Sequence, residues 1–67
     1  MTNYIDQLIL KEFDRHTYFN SYDISQFMEK LNNVEKKNKF LSFMIDSRGI
    51  ILSYSDIFNQ LKLLENN

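Results

Sequence analysis

A stretch near the start of this chain has a counterpart near its end. Phe19 to Leu31 aligns without a gap with Leu52 to Leu64. Each opens on an apolar residue followed by a small polar one, Phe19-Asn20 and Leu52-Ser53. Each places Asp and Ile together at the same positions, Asp23-Ile24 and Asp56-Ile57, and each closes on an Asn pair, Asn32-Asn33 and Asn66-Asn67. Repetition constrains architecture before residue detail does, because each unit must bury its apolar face against its neighbour. Two helix-loop-helix halves packed on each other are therefore predicted.

Hydrophobic spacing supports this within each half. Ile5, Leu8, Ile9 and Phe13 fall on one face of a helix spanning Asn3 to about Asp14. Asp6 near its start and Arg15 and His16 near its end suit the helix dipole. Asn20 reads as an N-cap, with Asp23 three residues on as the acidic member of a capping box. Ile24, Phe27, Met28 and Leu31 then form an apolar stripe running to Asn32-Asn33. Ser53 and Asp56 repeat the cap signal before Ile57, Phe58, Leu61 and Leu64.

The middle of the chain reads two ways. As a helix, Val34 to Asp46 shares a broad face of Val34, Leu41, Met44 and Ile45, pairs Glu35 with Lys39, and ends before Gly49. As a hairpin, residues 41–45 and 50–52 flank a turn at 46–49. The helix is favoured, because the first repeat has a helix in the matching place. The linkers Thr17-Tyr18-Phe19 and Ile50-Ile51-Leu52 are short and apolar, and a two-stranded bridge between them is compatible with the pattern. The expected fold is all-α, with four short helices in one small domain over residues 1–67; the alternative is a winged helix-turn-helix with a hairpin near 41–54.

Composition limits the chemistry. The chain has 67 residues with no Cys and no Pro, a single Gly, 43% hydrophobic residues and a net charge of −1. It contains no stretch approaching the roughly 20 apolar residues of a membrane span, and Met1 to Asp6 lacks a secretory leader pattern. The absence of Cys fits a reducing compartment, so a cytoplasmic location is expected. Abundant Asn, Lys, Ile, Phe and Tyr, with no Ala, indicate AT-rich codons. Such coding bias suits a low-GC bacterium, its phage or a plasmid.

Catalytic and metal motifs find little purchase. A calcium loop beginning at Asp46 would place Arg48 at a ligand position, and Asp56 lies one residue outside the twelve-residue frame. His16 is the only histidine, and no nucleophile accompanies it. One glycine cannot build a phosphate loop. Neither enzyme activity, metal nor cofactor is expected.

Binding is the remaining class. The six Phe and four Tyr exceed what one small core readily absorbs, and exposed aromatics mark protein contacts. Tyr4, Tyr22, Tyr54 and Phe43 are the protein-binding candidates, weighed against a plain role at the edge of the core. The leading expectation is a small non-enzymatic regulator or inhibitor that binds another protein. The competing reading is a helix-turn-helix DNA-binding regulator using Lys36, Lys37, Lys39 and Arg48. Against it, Glu29, Glu35 and Asp46 dilute the basic patch, and a nucleic-acid module normally shows a basic excess. A third reading is a structural oligomer, such as a homodimer, that buries surplus apolar surface on assembly.

Overall fold

A computed structural model describes residues 3–65; the second Asn pair of the repeat, Asn66-Asn67, lies outside them. The fold is all-α: α1 Tyr4–Phe13, α2 Ser21–Lys30, α3 Val34–Asp46 and α4 Tyr54–Glu65. No helix among the described residues is long and apolar enough to cross a membrane.

Each helix starts where a short polar side chain can satisfy an orphan backbone donor. The N–H groups of Asp6, Asp23 and Lys36 donate to the side-chain oxygens of Asn3, Asn20 and Asn33 at 3.0, 2.8 and 2.9 Å. α4 carries the full reciprocal capping box. The Ser53 N–H donates to Asp56 Oδ2 at 2.8 Å, and the Asp56 N–H donates to Ser53 Oγ at 3.1 Å. Asn33 thus starts α3 as well as following α2.

α1 packs most extensively on α3, while α2 lies against α1 and α4 against α3. This is the predicted pair of halves, joined through their first helices. The core consists of Ile9 and Phe13 from α1, Phe27 from α2, Phe40 and Met44 from α3, and Ile57, Leu61 and Leu64 from α4, closed by Phe19, Leu31 and Leu52. Phe13 is its hub. Its ring lies 5.7 Å from Phe19, 5.9 Å from Phe27 and 5.9 Å from Phe40, centroid to centroid.

Four readings need correction. No strand occurs among the described residues, so neither a wing near 41–54 nor a bridge between the linkers is formed. Residues 41–46 continue α3 instead, because Phe40, Leu41 and Met44 fall on one side of a helix and pack into or against the core. The apolar face of α3 is also rotated from the predicted one. Phe40 enters the core, while Val34 in the first turn and Ile45 are exposed. Phe58, expected on the apolar face of α4, is half-exposed, with an edge contact to Phe27 at 5.5 Å.

Candidate functional site

The two interhelical linkers share one structural logic. In the first, Phe19 drops into the core and stacks on Tyr54 at 5.0 Å, which leaves Tyr18 turned outward and 46% exposed. In the second, Leu52 is buried, and Ile50 and Ile51 stand 59% and 86% exposed. Phe19 and Leu52 are repeat mates, and so are Tyr18 and Ile51. Each half therefore anchors its linker with one residue and presents the preceding one.

The turn that carries Ile50 is tightly made. The Ile50 N–H donates to the Ser47 carbonyl at 3.0 Å, and Gly49 between them has φ +85°. That left-handed backbone favours glycine, which has no Cβ to clash. His16, Tyr18, Ile50 and Ile51, edged by Arg15 and Arg48, line an open hollow of about 440 Å³. His16 is half-buried there, its ring edge-on to Tyr18 at 6.3 Å and to Phe19 at 6.0 Å.

Glu12 fixes this platform from beneath. Its residue is only 5% exposed. Arg48 donates through Nε to Oε1 at 3.1 Å and through Nη2 to Oε2 at 2.6 Å, a bidentate fork. Arg15 adds its Nε at 3.4 Å from Oε1. The hydrogen bonds from Arg48 hold the Glu12 carboxyl below the usual carboxylate range, against the opposing effect of burial, with the charges of Arg48 and Arg15 assisting. Arg15 and Arg48 are themselves repeat mates, so equivalent arginines of the two halves converge on one carboxylate. The second linker is thereby tied to the end of α1.

The predicted protein-binding residues are dispersed. Tyr4 and Tyr22 sit in the first turns of α1 and α2, 74% and 72% exposed, outside the linker hollow. Tyr54 is half-buried, and its hydroxyl donates to Asp23 Oδ2, linking α4 to α2. That bond, then burial, raises the Tyr54 pKa above the ordinary phenol value. Phe43 is half-buried, its ring 5.8 Å from Phe40. Tyr54 and Phe43 thus belong to a run of ring contacts extending from the core toward Tyr18 and His16.

The cations of the DNA-binding reading are engaged with their own chain. Lys37 Nζ lies 3.0 Å from Asp6 Oδ1, and both side chains are largely covered. Lys36 Nζ donates to Asn32 Oδ1 at 3.2 Å, Lys39 pairs with Glu35 at 3.4 Å, and Arg48 is held by Glu12. The charged residues on the outward face of α3 are Glu35, Lys39 and Asp46, two carboxylates against one cation. Among the described residues, no three of His, Cys, Asp and Glu converge in a group that could hold a metal ion. What this surface offers is shape, apolar area and paired charge.

Sequence reasoning passed over Tyr18, Ile50, Ile51 and Glu12. A usable signal for the first three is an apolar run placed immediately before an N-cap, since only one of its residues can face the core. No protein-family model matches the chain, and neither does any curated protein or solved structure.

Proposed function

We propose that this chain is a small non-enzymatic regulator, most simply an inhibitor, that docks on another protein through its linker platform and occludes the partner's working surface. The observation that carries the reading is the exposure of Ile50 and Ile51, 59% and 86%, beside Tyr18 on a tightly fixed seat. Adjacent exposed apolar side chains of this size mark a contact surface. The composition resembles a binding hot spot, with a Tyr at the centre and Arg at the edge. Buried anchors on the same segments, Phe19 and Leu52, mean that little conformational freedom remains to be lost on association.

The scale is consistent with this. A standard interface covers roughly 800 Å² on each partner, about a sixth of the 4692 Å² accessible surface of this chain. The coding bias favours a phage, a plasmid or a low-GC bacterium as the source, and the lack of cysteine favours the cytoplasm. The engaged lysines and the mixed charge of the outer α3 face weigh against DNA as the ligand, because phosphate contacts supply most non-specific affinity.

The test is affinity capture from a low-GC bacterial lysate with immobilised wild-type chain, Ile51→Asp and Phe58→Ser. A partner held by wild type and by Phe58→Ser, but lost with Ile51→Asp, is the expected result. Capture indifferent to Ile51→Asp sinks the proposal. Light scattering that shows a dimer abolished by Ile51→Asp assigns the platform to a second copy instead. Salt-sensitive retention on heparin, lost when Lys36 and Lys37 are reversed to Glu, replaces it with DNA binding.

A further inference from the structure

A second surface lies between α1 and α2, away from the linker platform. It is an open groove of about 590 Å³. Its apolar floor is Leu10, 38% exposed, with Ile24 and Met28 half-buried. Asp6, Asp14 and Glu29 stand along its edges, and no Lys or Arg is among its lining residues. The Asp6 charge is taken by Lys37. Asp14 and Glu29 form no ion pair among the described residues.

We infer that this groove receives a basic amphipathic helix of a partner protein. An apolar trough between two helices accepts the greasy face of a third, read as anchors at i, i+3, i+4 and i+7. Met28 supplies a flexible, polarizable floor that adapts to such anchors. The edge charge selects the sign of the flanks. The acids available for this are Asp14, the C-cap residue of α1, and Glu29 in the last turn of α2. The fitting partner therefore carries Lys or Arg flanking a Leu, Ile or Met seam. Complementary rim charge sets partner choice and association rate more than total affinity, so an acidic helix with the same seam is rejected. This site is separate from the linker platform and does not depend on it.

The experiment uses the full chain and two synthetic fourteen-residue helices with one Leu seam, one flanked by Lys and the other by Glu. Binding is followed by fluorescence anisotropy as a function of salt, and located by amide chemical-shift changes. The Lys peptide binds at least tenfold more tightly than the Glu peptide, and shifts centre on Leu10, Ile24 and Met28. Asp14→Asn and Glu29→Gln, both at exposed positions, each weaken it about threefold and flatten its salt dependence. Circular dichroism verifies that both variants stay folded. Ile51→Asp leaves the interaction unchanged. Equal binding of the two peptides, no binding of either, or shifts centred on Tyr18 and Ile51 would overturn the inference.

Discussion

Replacing Phe13 by Ala tests the whole packing scheme at one position. Phe13 is 1% exposed and its ring faces three other phenylalanines at 5.7–5.9 Å. Truncating a buried Phe costs about 3–5 kcal/mol, as lost transfer energy plus an unfilled cavity. The upper part of that range applies, because the neighbouring rings are themselves fixed in the core and cannot collapse into the void. Total stability for 67 residues, at about 0.05–0.15 kcal/mol per residue, is only about 3–10 kcal/mol. Phe13→Ala should therefore lose from roughly half to all of that margin. Phe13→Leu keeps most of the apolar volume and loses mainly the ring contacts, for about 1–2 kcal/mol. In a domain of this size that lowers Tm by roughly 4–16 °C. Phe58→Ala is the internal control: the side chain is half-exposed with one edge contact to the core, and about 1 kcal/mol is expected. Urea titrations followed by circular dichroism at 222 nm give all three values. If Phe13→Ala costs no more than Phe58→Ala, the centre of the core has been misplaced and the α1–α3 seam with it.

Three further outcomes follow from local geometry. Glu12 has a depressed folded pKa, so its ion pair stabilises the fold above the unfolded carboxyl value of about 4.3 and fades as pH falls through the lower folded value; the Tm gap between wild type and Arg48→Met is widest at neutral pH and closes on acidification toward pH 3. Gly49→Ala meets no atom within 4 Å, yet keeps φ +85°, so the loss is backbone strain alone, about 1–2 kcal/mol by thermal melt, and Gly49→Asn loses less. The Tyr54 and Tyr18 hydroxyls titrate above the ordinary phenol value, so Tyr54→Phe removes part of the late-ionising absorbance at 295 nm.

Much of the fold could be read locally because its signals are local. The caps at Asn20 and Ser53, the Glu35–Lys39 pair and the stripes of α1, α2 and α4 depend on residues three or four apart. The orientation of α3 was less legible. Its apolar residues cover more than one face, and the bulk of Phe40 decides which of them enters the core, leaving Val34 and Ile45 outside. The platform was harder still. Glu12 meets Arg48 across 36 positions, Asp23 meets Tyr54 across 31, and Asp6 meets Lys37 across α1 and α3. Charge in a single sequence does not reveal which carboxylate finds which cation once the helices dock. For the same reason Lys37 and Arg48 looked available for phosphates, although tertiary packing commits both.

The convergence of Arg15 and Arg48 on Glu12 means that the two halves are not interchangeable modules. The position matching Glu12 in the second half is Ile45, an exposed aliphatic residue. A tandem built from the second half twice would carry two arginines and no acceptor. One built from the first half twice would set a second carboxylate on the surface where an exposed aliphatic residue now stands. The duplicated plan has become a division of labour, and only the heterotypic order closes the molecule.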